Sequence, residues 1–130
     1  MPALANVEEL FHVADTLSGL FQLVGAAIVD ACVLDLYAGS GALGIEALSR
    51  GAAAVDFVEA DAKLCRVIAQ NLQAAGFGER GRVHHARAER AVGFLVGPYQ
   101  VVLLDPPYSF PGLARVMDKL ERSALIDKGG

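Results

Sequence analysis

An acid, two prolines and an aromatic stand in a row at Asp105-Pro106-Pro107-Tyr108, directly behind the apolar run Val101-Val102-Leu103-Leu104. A buried strand followed by these residue types makes a rigid ledge, suited to holding the exocyclic amine of a flat nucleobase. The lone pair of such an amine is delocalised into the ring, so the amine is a poor nucleophile until hydrogen bonds hold it and favour a pyramidal geometry. Asp105 and the carbonyl of Pro106 are candidates to accept those bonds. Tyr108 is placed to stack on the base, an interaction typically worth about 1–3 kcal/mol. The plainer alternative is a strand-ending turn in which Pro-Pro stops the strand and Tyr108 covers the core. The four residues together in this position favour the ledge.

A second pattern offers that amine something to react with. Gly39-Ser40-Gly41-Ala42-Leu43-Gly44 matches G-x-G-x-x-G, in which absent side chains let a ligand approach the backbone at a helix N-terminus. Glu59, about twenty residues past the first glycine, ends a predicted strand and could accept both ribose hydroxyls of an adenosine group. Turn and acid favour an adenosine-containing cofactor without separating nicotinamide dinucleotide from S-adenosylmethionine. Asp35 helps to separate them. A carboxylate inside a strand that should be buried is costly unless it is paired or hydrogen-bonded, and this one stands four positions before the first glycine. An acid there can brace the loop amides or meet a cationic amino group, which S-adenosylmethionine carries and nicotinamide dinucleotide lacks. A purely structural acid that caps the loop is the alternative.

Other chemistry finds little support. Cys32 and Cys65 fall in apolar surroundings on a predicted strand and a predicted helix, without a partner at metal-ligand spacing, and read as buried reduced thiols. His12 lies in a helical pattern and His84-His85 flanks a predicted strand, where neighbours face opposite sides. No metal site is expected. The net charge of -4 is the wrong sign for holding nucleic acid by a bulk field. A polynucleotide substrate would need a local basic patch, for which Arg80, Arg82, Arg87 and Arg90 are the candidates. A solvated basic loop and helix face explains them equally well.

The elements that must position these residues alternate. With 130 residues, 54% of them apolar, the chain has material for one domain, residues 1–130, around one packed core. The most apolar stretch, 20–36, is broken by Gln22, Asp30 and Asp35, whereas a membrane span needs about 20 largely uninterrupted apolar residues. The N-terminus lacks the pattern of a signal peptide, so a cytoplasmic protein without a membrane partner is expected. Leu10, Ala14, Leu17, Phe21 and Val24 predict an amphipathic helix over 7–24, weakened by Gly19. A strand at 33–37 leads through the glycine turn into a helix at 42–50 that Gly51 can end. A strand at 53–59 is followed by a helix capped by Asp61 and stopped by Gly76, with Leu64, Ile68 and Leu72 facing inward. A short strand at 83–86, a weak helix at 89–96, a strand at 100–105 and a last helix from Pro111 to about 122 complete the pattern. Strands separated by such helices pair in parallel through right-handed crossovers, giving a three-layer α/β fold. Ligands in these sheets bind beyond the carboxyl ends of the strands, where the glycine turn, Glu59 and the Asp105 ledge all fall.

Taken in order, these segments resemble the RsmD-like family of 16S ribosomal RNA guanine-N2 methyltransferases. The resemblance rests on Val33-Leu34-Asp35-Leu36-Tyr37-Ala38-Gly39-Ser40-Gly41-Ala42-Leu43-Gly44, on Glu46-Ala47-Leu48-Ser49-Arg50-Gly51-Ala52, and on Phe57-Val58-Glu59, Asn71-Leu72 and Leu104-Asp105-Pro106-Pro107-Tyr108. It covers roughly residues 15–126, and the ordered combination is more specific than any single motif. It implies a Rossmann-like class I S-adenosylmethionine-dependent methyltransferase fold with parallel sheet order 3-2-1-4. The family's cofactor role would fall on Asp35, Ala38, Gly39, Ser40, Gly41, Glu59 and Ala60, and its target-amine role on Asp105, Pro106, Pro107 and Tyr108. The methyl would pass from sulfonium to nitrogen in one in-line displacement, driven mainly by positioning. Ribosomal RNA or the pre-assembled small ribosomal subunit is the implied partner.

The chain departs from the family pattern in three places. Residues 1–15 contain no arginine or lysine, where the family usually begins with a basic segment. Arg87-Ala88-Glu89 stands where the family commonly shows an Asp or Asn that meets the adenine amine, which leaves the backbone at Ala88 and the Glu89 carboxylate as the candidate adenine contacts. The chain stops at Lys128-Gly129-Gly130, where a fifth strand would start. A sheet truncated before strand 5 is therefore expected, with the fourth strand an exposed edge open to another chain or a second copy. The same ledge would also serve N6-adenine methylation of DNA or RNA. A non-catalytic S-adenosylmethionine-binding module is the reading from a different class, and a nicotinamide-dependent oxidoreductase is disfavoured by Asp35.

Overall fold

Val33 and Leu34, Phe57 and Val58, and Val101 and Val102 are neighbours that point to opposite sides of a strand, yet all six are essentially inaccessible to solvent. Strands buried on both faces require a helical layer on each, and that is the architecture found. The computed structural model describes residues 11–12, 27–104 and 112–126. Its elements run β1 (Phe11–His12), β2 (Cys32–Asp35), α1 (Ala42–Ser49), β3 (Ala54–Glu59), α2 (Ala62–Ala75), β4 (Gly81–His85), α3 (Ala88–Phe94), β5 (Val101–Leu103) and α4 (Leu113–Arg122). All strand pairs are parallel, in the order β1-β5-β2-β3-β4.

On one face α1 and α2 bring Ala47, Leu48, Ile68 and Leu72 onto Val33, Val55, Phe57, Val101 and Leu103. On the other, α3 and α4 bring Ala91, Val92, Val116 and Leu120 onto Leu34, Val58, Val102 and Leu104. Burying one such aliphatic side chain contributes about 1.5–3 kcal/mol. Ile68 and Leu72, one turn apart, form the buried stripe of α2, so Leu72→Ala should cost roughly 2–5 kcal/mol. The ends of α2 follow from its sequence. The Asp61 carboxylate accepts hydrogen bonds from the amides of Lys63 and Leu64, at 2.8 and 3.3 Å, and Gly76 ends the helix in a left-handed conformation with φ 81°.

The four longer strands lie in the predicted order 3-2-1-4, read as β4-β3-β2-β5. The expected bare edge is corrected. Phe11 pairs with Val102 and His12 with Leu103, so the outer side of β5 carries a fifth, two-residue strand. An open strand edge presents unpaired N–H and C=O groups that any extended backbone can satisfy, and β1 does so. Of the helix predicted over 7–24, Phe11 and His12 are therefore extended instead, and the remainder lies outside the described residues. After α4 the chain returns to the sheet, where Leu125 accepts a hydrogen bond from the Tyr99 amide at 2.5 Å and Ile126 forms a parallel bridge with Tyr99. Cys32 and Cys65 are free thiols on β2 and α2, half-buried where full burial was expected.

Candidate functional site

β2 ends at Asp35, whose side chain is fully buried, and the chain then turns across the carboxyl end of the sheet. The Ala38 amide donates to the Val58 carbonyl at 3.0 Å, and the Gly41 amide donates to the Ala38 carbonyl at 2.8 Å. This tight path puts Gly39 at φ +59° and Gly41 at φ +86°, conformations costly for residues with a Cβ. A Cβ built at Gly39 would meet nothing within 4 Å, so its side of the turn opens into free space. α1 follows with no side-chain cap at Gly41, which leaves first-turn amides available as donors to a ligand.

Three side chains hold the turn and the rim in place. Glu59, at the end of β3, accepts from the Gly39 amide on Oε1 at 2.8 Å and from the Asp61 amide on Oε2 at 2.9 Å. It thereby ties the glycine turn to the start of α2. A carboxylate offers about four lone-pair sites, so Glu59 keeps acceptor capacity for further donors. From the opposite side, the Asn71 amide nitrogen donates to the Ser40 carbonyl at 3.0 Å, across 31 positions in sequence. His85 Nε2 donates to the Ala60 carbonyl at 3.0 Å. Because a carbonyl only accepts, that ring nitrogen carries the proton.

Between these elements lies a cavity of about 600 Å³, within the range of roughly 300–1,000 Å³ usual for small-molecule sites. Leu36, Leu43, Val58 and Leu64 give it apolar walls suited to a flat ring, and Glu59 and Glu89 supply carboxylates. The Tyr37 phenol on its wall has a pKa pushed up to about 12, first by burial and then by the negative charge of Glu89. It therefore stays neutral. The Cys65 thiol is likewise raised, by burial first and then by Glu59 and Asp61, with Arg66 opposing. Neither is an activated nucleophile, and among the described residues no three His, Cys, Asp or Glu side chains could hold a metal ion.

Seven residues singled out from the sequence, Ala38, Gly39, Ser40, Glu59, Ala60, Ala88 and Glu89, line this one cavity. Asp35 is buried and Gly41 belongs to the turn itself, and neither is part of the lining. Asp105, Pro106, Pro107 and Tyr108 lie outside the described residues. The sequence reading gave Arg87 a part only in a basic patch, and Tyr37 and Asn71 a part only in the resemblance; Tyr37 and Arg87 also line the cavity, and Asn71 braces the turn. A signal for Asn71 existed: it stands seven positions after the lining residue Leu64, hence on the same face of α2. Of the four candidate basic residues, Arg80 is committed internally. Its guanidinium donates to the carbonyls of Leu48, at 3.3 Å, and Ala52, and its central carbon lies 5.2 Å from the Phe77 ring centroid. Arg82, Arg87 and Arg90 are exposed.

A parallel sheet of this order, with a glycine turn and an acid at the carboxyl ends of adjacent strands, defines a Rossmann-like fold of the class I methyltransferase type. The family described as Conserved hypothetical protein 95 matches residues 14–130, and the chain belongs to it, with the ordered motifs of its RsmD-like members. The chain is 32% identical over 119 residues to the YlbH protein of Bacillus subtilis, covering 85% of this chain and 62% of that protein. It is 37% identical over 107 residues to the Ribosomal RNA small subunit methyltransferase D of Escherichia coli, covering 82% of this chain and 54% of that protein. This chain thus spans less than two thirds of the length of either relative. Among solved structures, a conserved hypothetical protein of Streptococcus pyogenes superimposes with a TM-score of 0.79 at 34% identity, over 86% of this chain and 70% of that one.

Proposed function

We propose that this chain is an S-adenosylmethionine-dependent methyltransferase domain that acts on the exocyclic N2 amine of a guanine in small-subunit ribosomal RNA, free or within the pre-assembled subunit. The observation that carries the reading is the Gly39 turn, open on its ligand side and held by Glu59 above a cavity of about 600 Å³. It occurs in a chain similar to a protein named Ribosomal RNA small subunit methyltransferase D.

When bound, the cofactor would supply a methyl group made electrophilic by its sulfonium. The remaining work is positioning. The amides of the 38–41 turn and of the α1 N-terminus would receive the amino-acid end, with the buried Asp35 side chain nearby in sequence. Glu59 accepts from the ribose hydroxyls with its remaining lone pairs while it keeps the Gly39 amide. Leu36, Val58 and Leu64 would enclose the adenine, and the backbone at Ala88 and the Glu89 carboxylate would be the candidates to meet its amine. Asp105 and the Pro106 carbonyl accept from the target amine, Pro107 stiffens the ledge, and Tyr108 stacks on the base. Support for a shared rim comes from β5: paired on both sides, it ends at Leu103, followed by the buried Leu104 and then Asp105. Held this way, the amine would face the electrophilic methyl that the bound cofactor supplies, and its surplus proton would pass to solvent.

The test is transfer of tritiated methyl from S-adenosylmethionine into unmodified small-subunit ribosomal RNA, with Asp105→Ala alongside. The expected result is incorporation by the wild type and a loss of at least a hundredfold in the variant. Equal incorporation by both proteins would remove Asp105 from its role.

A further inference from the structure

A chain of net charge -4 can hold a polyanion only where its cations gather. Arg87 precedes α3, and Arg90 and Phe94 follow at i+3 and i+7, so the three share one helix face. All three are exposed, Phe94 with 47% of its surface open. Among the described residues, Arg82, Arg87 and Arg90 form no ion pair. Glu89 falls off this face and lines the cofactor cavity instead.

The stripe joins two cavities. Arg87 stands at the lip of the cofactor site. Phe94, about 10 Å further along the helix at a rise of roughly 1.5 Å per residue, borders a second cavity of about 550 Å³. Arg82, His84 and Val96 line the same cavity, Val96 with 84% of its surface exposed. Behind them, His84 Nε2 donates to Asp56 Oδ1 at 3.1 Å, and the Tyr99 hydroxyl donates to Asp56 Oδ2 at 2.5 Å. These bonds fix the imidazole, whose centroid lies 5.9 Å from that of the Phe94 ring at an interplanar angle of 53°. Glu79 is the acid on this wall that carries no such commitment. A half-exposed Phe94 ring, with His84 partly exposed beside it, on a face that carries unpaired guanidinium groups matches what single-stranded nucleic acid requires: cations that follow the phosphates and a ring on which a base can stack.

We propose that the exposed face of α3, from Arg87 through Arg90 to Phe94, together with Arg82 and the second cavity, is a docking track for single-stranded RNA. Phosphates lie along the arginines, and a base flanking the target stacks at Phe94 and His84 while the target nucleotide reaches the cofactor site. This rests on the ribosomal RNA reading above and adds the surface that the -4 charge leaves unexplained.

The experiment is fluorescence anisotropy with a labelled single-stranded fragment of unmodified small-subunit ribosomal RNA over a salt series. Wild type is compared with Arg82→Ala, Arg90→Ala, Arg90→Glu, Phe94→Ala and Phe94→Tyr, and the wild type is titrated with S-adenosylhomocysteine in parallel. Each arginine-to-alanine change should lower the slope of log affinity against log salt by about 0.7. Phe94→Ala should weaken binding roughly 5- to 100-fold while Phe94→Tyr restores it, which separates stacking from a folding defect. Wild-type affinity and slope in Arg90→Glu and Arg82→Ala would overturn the track, as would equal competition by a duplex of the same sequence. If S-adenosylhomocysteine binds but RNA binding ignores these changes, the track fails and the cofactor reading stands. If RNA binding depends on them and S-adenosylhomocysteine does not bind, the track stands and the methyltransferase reading fails.

Discussion

Gly44→Ala should destabilise this protein even though it replaces the poorest helix former but proline with the best. In the middle of an exposed helix the change would stabilise by about 1 kcal/mol. Here the added methyl would sit 2.3 Å from Cε1 and 2.7 Å from Cζ of Phe57, and 3.0 Å from Cγ1 of Val55. Carbon atoms pack best at about 3.5–4.0 Å, and the Phe57 ring is fully buried, so it has no solvent to swing into. Overpacking of this kind costs about 1–3 kcal/mol, and an overlap with a rigid ring belongs at the upper end. After the gain in helix propensity, the net loss is about 2 kcal/mol. For a domain of this size that corresponds to a fall in Tm of roughly 6–8 °C. Circular dichroism during heating and urea titration should show the lower Tm and a lower urea midpoint with unchanged m. Adding Phe57→Leu should recover part of the loss. A Gly44→Ala protein as stable as the wild type would refute the close approach of α1 to β3, and with it the placement of the glycine turn.

Other consequences follow from individual hydrogen bonds. Asn71→Asp replaces the donor to the Ser40 carbonyl with an acceptor. Because Asn71 is exposed, the urea midpoint should barely move, while calorimetry should show S-adenosylhomocysteine affinity down roughly 3- to 10-fold; an unchanged affinity would remove the tether from the site. Asp61→Ala removes the cap of α2 and should cost about 1 kcal/mol in urea denaturation, with Asp61→Asn retaining most of it. Burial raises the Tyr99 phenol, with the hydrogen bond to Asp56 adding to it, and burial with Glu89 raises Tyr37 to about 12. The folded state therefore keeps phenol protons that the unfolded chain releases near pH 10. Stability should be complete below about pH 10 and decline as pH rises toward about 12. Tyr99→Phe should flatten that decline, and a flat wild-type profile would contradict the burial of both phenols.

How far the sequence could be read depended on which atoms carry each interaction. The sheet was legible because Val33-Leu34, Phe57-Val58 and Val101-Val102-Leu103-Leu104 are apolar on both strand faces, and Gly51, Asp61 and Gly76 mark helix ends with side chains or missing side chains. The cavity was legible for the same reason, since the Gly39 turn and Glu59 differ in kind from their neighbours. β1 was not, because pairing at Val102 and Leu103 uses backbone groups that every residue has, while Leu10, Ala14 and Leu17 repeat at helical spacing. Arg80 looked like a surface cation because its partners are the carbonyls of Leu48 and Ala52, which no residue type announces. Asn71 was visible only as part of the resemblance, because its partner is the backbone carbonyl of Ser40. The third strand begins two residues before its apolar run, where ladder bonds such as Val55 amide to Arg80 carbonyl at 2.9 Å extend it, whereas the first ends at Asp35, two residues short of the reading.

The cavity under the Gly39 turn should hold an adenosine-containing methyl donor through Glu59. Isothermal titration calorimetry with S-adenosylhomocysteine and with nicotinamide dinucleotide, on the wild type and on Glu59→Gln, tests it most directly. The side-chain amide of Gln can accept from only one of the two backbone amides that Glu59 now serves, and it loses the charge that strengthens a ribose contact. One-to-one binding of S-adenosylhomocysteine by the wild type is expected, with at least tenfold weaker binding by the variant and no heat from nicotinamide dinucleotide. Binding of nicotinamide dinucleotide alone, or S-adenosylhomocysteine binding that Glu59→Gln leaves unchanged, would contradict it.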